Sequence, residues 1–94
     1  MRVELIRKDC DDKPICPSLW RTGRGTTAVQ GWNADRPDTV EVPAALVNGI
    51  PGITGETTDR GTVLVRGERV TDAEALAMMD IPSGESAVEV PVAI

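Results

Sequence analysis

Hydrophobic and polar positions alternate in short runs along this chain, which is the pattern of half-buried β-strands. The strongest run is TVLVRGERV over 62–70, where Val63 and Val65 share one face and Leu64 lies on the other. SAVEVPV over 86–92 alternates in the same way. Further strands are predicted at 2–8, 17–22, 26–32 and 40–42.

Segments 17–22 and 26–32 are predicted to form a hairpin. Gly23 and Gly25 stand between them, and glycine supplies the positive φ that a tight turn requires. Pro43 ends the strand at 40–42 and suits the first turn of a short helix. The following stretch, 48–61, contains four glycines and a proline and is predicted to be a loop.

One longer helix is predicted from 72 to about 79. Thr71-Asp72-Ala73-Glu74 matches a capping box, with the Thr71 hydroxyl as N-cap acceptor and Glu74 reaching back. Its inward residues are predicted to be Ala75, Leu76 and Met79.

The 94 residues are long enough for one domain only, spanning 1–94. The fold class expected is mainly β, with a minor α component: a small antiparallel β-sheet or barrel with one short helix. The apolar residues are chiefly Val, Ala, Leu and Ile, with two Trp and no Phe or Tyr. Such a thin core favours stabilisation by a partner subunit, so a homodimer is expected.

Two phrases recur in the same order along the chain. RGT with a following Val and Gly appears at 24–31 and again at 60–67, an offset of 36, and VEVP appears at 40–43 and 88–91, an offset of 48. These phrases predict half-repeats at 18–47 and 60–94 joined by a linker at 48–59, packed with pseudo-twofold symmetry. The alternative is coincidence in a chain rich in Val and Gly. In both cases the prolines predict edge or terminal strands.

The formal charge of −5 disfavours nucleic acid and anionic membranes as direct partners. No window approaches the length of an apolar membrane span, and 1–8 lacks the apolar core of a signal peptide. A cytoplasmic protein is therefore expected.

Cys10 and Cys16 are the only cysteines, and three interpretations remain open for them: a disulfide or redox-labile pair, two free thiols, or part of a metal site. Asp9, Asp11 and Asp12 lack the glycine and the distal Glu of a calcium-binding loop, which favours a solvated loop. The chain has no His and no recognisable nucleophile or phosphate-binding motif, so neither enzymatic activity nor a cofactor is expected.

Trp20 and Trp32 are the only aromatic residues. In a domain this poor in aromatics, a Trp is expected at the centre of the core or at an interface, and the sequence favours one of each without assigning them. Arg21, Arg24 and Arg36 lie near them in sequence, which allows either a local basic interface or a solvated turn. The candidate interface residues are thus Trp20, Trp32, Arg21 and Arg24.

On CPSLWRTGRGTTAVQGW and VTDAEALAMMDIPSGESAVEVPVAI, the chain resembles small acidic proteins of high-GC actinobacteria. Genes of that group often lie near helix-turn-helix regulators, and the group's function is largely unassigned, so no residue role is transferred. The shared pattern runs directly from the tryptophan hairpin through a capped helix to the VEVP strand. This sequence departs from it by inserting 33–59, including a second VEVP.

Three functions are compatible with these patterns. The first is a non-enzymatic, homo-oligomeric accessory or regulatory module that binds another protein. The second is a swapped-hairpin transcription factor that binds DNA through 40–50, against which the net charge argues. The third is a redox or metal protein that uses Cys10 and Cys16.

Overall fold

The computed structural model describes residues 1–8, 17–53 and 55–93. Those residues form an antiparallel β-sheet, not closed into a barrel, with two short helices, which confirms the mainly β fold. The strands are β1 (Val3–Lys8), β2 (Ser18–Thr22), β3 (Thr27–Asn33), β4 (Thr39–Pro43), β5 (Gly55–Thr57), β6 (Thr62–Arg66), β7 (Glu68–Arg69) and β8 (Glu85–Val90). The helices are α1 (Ala44–Val47) and α2 (Ala73–Met79).

The strand order is β1-β2-β3-β4-β6-β5, and β8 pairs with both β3 and β7. We call β2 to β4 the first half and β5 to β8 the second half. The pairing crosses between them, because β3 of the first half pairs with β8, and β6 of the second half pairs with β4. Neither half therefore completes its own sheet.

The two crossed pairings have the same register. Val29 faces Val88 in the β3–β8 pair, and Val65 faces Val40 in the β4–β6 pair. Adding 36 to the first position and subtracting 48 from the second converts one pair into the other. The two offsets found in the sequence therefore relate structurally equivalent positions of the two halves.

The pairings within each half are equivalent as well. Trp32 of β3 faces Glu41 of β4, and Glu68 of β7 faces Glu89 of β8. These positions again differ by 36 and 48. The correspondence also extends the second unit back to Gly55, because β5 pairs with β6 as β2 pairs with β3.

Two apolar clusters lie on opposite sides of this sheet. The larger joins alternate side chains of both halves with α1 and the loop after it: Leu19, Val29, Val40, Val42, Leu46, Val47, Ile53, Val63, Val65, Val88 and Val90. The smaller packs α2 against the β3–β8 region: Val3, Ala28, Val70, Ala75, Met79 and Ala87, with Trp20, Leu76 and Ile81 partly buried beside it. The clusters are made mainly of Val, Leu and Ala, in agreement with the thin core expected from composition.

The VEVP strands are not edge strands of the sheet, so that part of the prediction is wrong, although the second VEVP lies in β8, the last strand along the described chain. Strand β4 pairs with β3 and β6, and β8 pairs with β3 and β7. Pro43 is the last residue of β4, and Pro91 lies just beyond β8. A proline at the end of a strand removes no ladder hydrogen bond from the middle of the sheet.

Three local predictions also need correction. The segment 48–61, predicted as a loop and in part as a linker, contains the edge strand β5. The run 62–70 is divided at Gly67 into β6 and β7. The N-cap of α2 is Asp72 and not Thr71: the Asp72 carboxylate accepts the Ala75 N–H at 2.9 Å, while Glu74 lies 2.7 Å from the Met1 amino group.

Candidate functional site

Each half contributes a Thr-x-Arg-Gly-Thr turn that holds the VEVP strand of the other half. In the first turn the hydroxyls of Thr22 and Thr26 are 2.6 Å apart, and Gly25 takes a φ of +75°. Arg24 Nη2 lies 3.1 Å from Glu89 Oε1, and the Thr26 hydroxyl donates to the other Glu89 oxygen. The turn between β2 and β3 is thus fixed to β8.

The second turn repeats these contacts on β4. The hydroxyls of Thr58 and Thr62 are 2.5 Å apart, and Gly61 has a φ of +74°. Arg60 binds both oxygens of Glu41 at 3.0 Å, and the Thr62 hydroxyl donates to Glu41 Oε2 at 2.6 Å. The Thr62 hydroxyl first, and then the Arg60 guanidinium, hold the pKa of Glu41 below its usual range despite partial desolvation. These charged groups are used in holding the halves together.

The two expected interface arginines lie in ion pairs. Arg21 Nη1 is 2.6 Å from Glu4 Oε1, and Arg24 is bound to Glu89 as described. Arg36 is exposed on the segment between β3 and β4. Because a glutamate accompanies each of Arg21 and Arg24, these two residues do not form a net basic surface.

Trp20 lies against the smaller apolar cluster and is half-buried. Its indole N–H donates to Gln30 Oε1 at 3.1 Å, and Gln30 Nε2 donates to Glu85 Oε1 at 3.0 Å. Gln30 itself is only 2% exposed. A chain of hydrogen bonds therefore runs from the half-buried tryptophan through a buried amide to the carboxylate of Glu85.

Trp32 is 41% exposed, although it lies on the same strand as the buried Val29. It belongs to a row of directly opposed residues across five strands: Glu85, Trp32, Glu41, Leu64 and Glu56. Opposed residues share one face of a sheet, so Trp32 and Leu64 lie on a surface interrupted by three carboxylates. The structure thus separates the two tryptophans into a packed residue and an exposed one.

Cys10 and Cys16 lie outside the described residues. Within the ranges that the structure does describe, no three His, Cys, Asp or Glu side chains converge as metal ligands would. The interpretations of the cysteines remain those drawn from the sequence.

A groove of about 350 Å³ lies between α2 and β8. Its apolar lining comes from the smaller cluster, where Val70 and Ala87 are buried and Leu76 and Ile81 are half-buried. Its remaining lining residues are Arg69, Thr71, Glu85 and Ser86. Glu85 is therefore shared between this groove, which we call the α2 groove, and the hydrogen-bond chain from Trp20.

The segment that builds the α2 groove carries most of the chain's net charge. Residues 68–85 contain five acidic side chains and one basic one, a net charge of −4 out of −5 for the whole sequence: Glu68, Asp72, Glu74, Asp80 and Glu85 against Arg69. The Arg69 guanidinium donates to the Pro37 carbonyl at 3.3 Å. The groove thus has apolar lining from Val70, Leu76, Ile81 and Ala87, and it is built largely from the most acidic segment of the chain.

The α2 groove has no counterpart in the first half. There, five residues, 34–38, connect β3 to β4, while 70–84, containing α2, connect β7 to β8. The unequal offsets of the two repeated phrases, 36 and 48, already indicated twelve extra residues between RGT and VEVP in the second unit. They did not indicate that Leu76, Ile81 and Glu85 form a groove, because α2 reaches β8 only through the tertiary fold.

A larger groove, of about 570 Å³, lies beside α1. Its lining contains no charged side chain: Ala44, Val47, Asn48, Gly49, Ile50, Pro51, Ile53, Gly55 and Val63. Only shape and apolar contact could therefore determine which ligand binds there, because the lining has no charged side chain.

No helix in the described part of the chain has the length and apolar character needed to cross a membrane. No protein-family model matches the chain, and no curated protein or solved structure is significantly similar to it.

Proposed function

We propose that this protein is a non-enzymatic, homo-oligomeric accessory or regulatory module that binds another protein through the α2 groove. The observation that carries the proposal is the apolar lining of that groove. Leu76 and Ile81 are left half-buried within the most acidic segment of the chain. Covering them would remove apolar area from water, which stabilises a complex by about 25 cal/mol per Å² before the costs of association.

The shape of the groove suits a protein segment. Its volume of about 350 Å³ is at the lower end of the range of small-molecule sites, and it lies open on the surface. Peptides are commonly recognised by insertion of apolar side chains into such surface grooves or pockets. The helix and strand that form it fix its geometry before a partner arrives.

Selection from a random peptide library of about 16 residues, displayed on phage, tests this function without assuming a partner. We expect peptides whose binding weakens at least about tenfold in Leu76→Ala and Ile81→Ala, because each change removes part of the apolar lining. Met78→Ala is the matched control: Met78 is on the same helix and 47% exposed, but it does not line the groove.

Circular dichroism before binding verifies that each variant is folded. Peptides that bind the wild type and both groove variants equally well would contradict the proposed site. Peptides that lose binding in Met78→Ala as much as in Leu76→Ala would do the same.

Self-association is assigned to the surface around Trp32. Trp32 is 41% exposed and shares one face of the sheet with Leu64. Of the carboxylates in the same row, Glu41 is paired with Arg60, and two copies that meet there remove the apolar area of Trp32 and Leu64 from water. We expect a dimer in size-exclusion chromatography with light scattering, and a monomer for Trp32→Lys. A wild-type protein that stays monomeric at millimolar concentration would remove the homo-oligomeric part of the proposal.

Direct DNA binding is the alternative that the charge distribution opposes, because an acidic surface repels phosphates. A gel-shift series with duplex DNA at low salt separates the two functions. Retarded duplex that is released in proportion to added salt would favour the DNA-binding alternative over the proposed one.

A further inference from the structure

We infer that the segment bound in the α2 groove is cationic, with an apolar anchor residue flanked by Lys or Arg. This inference rests on the proposed function and specifies the chemistry of the partner. Its basis is the combination of an apolar floor with a net charge of −4 on the segment that surrounds it.

The floor of the groove requires the apolar anchor. Leu76, Ile81 and Ala87 provide aliphatic surface and no hydrogen-bonding side chain. A polar side chain placed against these three residues would lose hydration without gaining a hydrogen bond from them, which costs on the order of 1–3 kcal/mol; hydrogen-bonding groups are offered only by the other lining residues, Arg69, Thr71, Glu85 and Ser86. An aliphatic or aromatic side chain has no such cost.

The wall of the groove selects the charge beside the anchor. Glu85 lines the groove, and its Oε1 accepts from Gln30 Nε2 at 3.0 Å. Gln30 is held in turn by the Trp20 indole N–H at 3.1 Å. The carboxylate is therefore oriented by a buried amide before a ligand binds, which lowers the conformational entropy lost when a cation pairs with it.

The surrounding residues reinforce the same selection. Asp80 and Glu68 are exposed on the segment, whereas Asp72 and Glu74 lie 3.0 Å and 2.7 Å from the Met1 amino group. The single basic residue of the segment, Arg69, lines the groove and keeps its charge, but its Nη1 is held by the Pro37 carbonyl at 3.3 Å. An acidic ligand would meet repulsion from Glu85, Asp80 and Glu68, whereas a cationic one would be attracted by them over about a Debye length.

Three synthetic peptides of about 12 residues test the inference. The first contains Lys on both sides of a central Leu in a Gly and Ser background. In the second, Ser replaces the Leu; in the third, Glu replaces each Lys. We expect the first to bind, with an affinity that falls as NaCl is raised, and each of the other two to bind at least about tenfold more weakly.

A matched pair of double variants separates local charge from net charge. Asp80→Asn with Glu85→Gln removes two charges at the groove, keeps an acceptor for Gln30 and keeps a residue that tolerates the left-handed φ of +51° at position 80. Asp35→Asn with Asp59→Asn removes two charges from exposed positions that line neither the groove nor the Trp32 row. We expect the groove pair to weaken binding of the first peptide about tenfold or more, and the control pair to weaken it less than twofold.

Equal losses in the two double variants would overturn the inference, since only net charge would then matter. Equal binding of the Lys and Glu peptides would overturn it as well. Asp80→Asn alone, at an exposed position, repeats the test if the double variant unfolds.

The phage selection distinguishes this inference from the proposed function. Peptides that depend on the groove but are not enriched in Lys or Arg would sustain the binding function and refute the cationic partner. Absence of any peptide that depends on the groove would refute both.

Discussion

Replacement of Gly31 by Ala tests the crossed architecture directly. Gly31 lies on β3, next to the residues that pair with β4. A Cβ built on it would lie 2.6 Å from the Glu41 carbonyl oxygen and 2.6 Å from Val42 Cγ1. The side chain of Val42 could rotate, but the carbonyl belongs to a paired strand and can move only with its backbone.

Gly67 is the equivalent residue of the second half, 36 positions later. A Cβ there would lie 2.5 Å from the Glu89 carbonyl oxygen and 3.1 Å from Val90 Cγ1. Each contact is shorter than the separation of about 3.5 Å at which non-bonded atoms attract, so the strands must separate by several tenths of an ångström. Overpacking of this kind typically costs about 1–3 kcal/mol. Both Gly31→Ala and Gly67→Ala are therefore expected to destabilise the fold by that amount.

Gly23→Ala is the matched control. The nearest atoms to a Cβ at Gly23 are those of the Arg2 backbone, 3.8 Å away, which is an ordinary contact. An unstrained replacement of Gly by Ala restricts the unfolded chain, so it is expected to change stability between zero and a gain of about 1 kcal/mol.

Equilibrium urea unfolding, followed by tryptophan fluorescence and by circular dichroism, measures all three variants. A cost of 1 kcal/mol lowers the thermal midpoint of a domain this small by about 4–8 °C, which gives an independent reading. Destabilisation at only one of Gly31 and Gly67 would refute the structural equivalence of the halves. Neutral substitutions at both would refute the close approach of the strands.

Four other substitutions have definite expected outcomes. The pKa of Glu41 is lower in the folded protein than its ordinary value near 4.5. The carboxylate therefore contributes its full stabilisation above that ordinary value, and the contribution is lost as pH falls through the folded-state pKa. Between about pH 6 and pH 3, the urea midpoint of Glu41→Gln should fall less than that of the wild type. Asp72→Ala removes the N-cap of α2 and should cost about 0.5–2 kcal/mol in thermal unfolding, with an unchanged midpoint contradicting the cap. Trp20→Phe should cost about 1–3 kcal/mol because it leaves Gln30 without its indole donor, while Trp32→Phe should change stability by no more than about 0.5 kcal/mol. Acrylamide should quench Trp32, which remains in Trp20→Phe, more than Trp20, which remains in Trp32→Phe.

The local elements were predictable from the sequence because their signals are local. The hairpin of β2 and β3 follows from alternation around Gly23 and Gly25, and α2 follows from apolar spacing after the capping-box sequence that begins at Thr71. The choice between Thr71 and Asp72 as N-cap differs by one residue, and both types are good caps. Such one-residue ambiguities arise because capping also depends on what the first turn packs against.

The position of the VEVP strands was not predictable in the same way. A proline after a short valine strand is compatible with an edge strand and with the end of a central strand. What decides between them here is the crossed pairing, in which Val40 faces Val65 and Val88 faces Val29. Those partners are 25 and 59 positions apart, so no local window contains them.

For the candidate site as well, the sequence identified unusual residues but not their positions in the tertiary fold. The sequence identified Trp20 and Trp32 as the unusual residues, but it could not separate them, because both lie in alternating strands. Burial separates them: Trp20 packs against the apolar cluster that includes α2, whereas Trp32 is not part of that cluster and is 41% exposed. The α2 groove was not predicted as a groove, although the longer second connection had been the main difference between the repeated units.

The candidate binding groove lies in the α2 connection, which is the part of the chain where the two halves are not equivalent. Both halves have the same pairing registers, the same Thr-x-Arg-Gly-Thr turns and the same glutamate contacts, and these features hold the chain together. The α2 connection contributes none of these repeated contacts, yet it contains most of the net charge and builds a groove that the first half lacks. Part of this charge has a structural role, because Asp72 caps α2 and pairs with the Met1 amino group together with Glu74. Glu68, Asp80 and Glu85 have no such role in the sheet, and the cationic partner that we propose would give them one. The double variant at Asp80 and Glu85 is therefore the most direct test of that proposal.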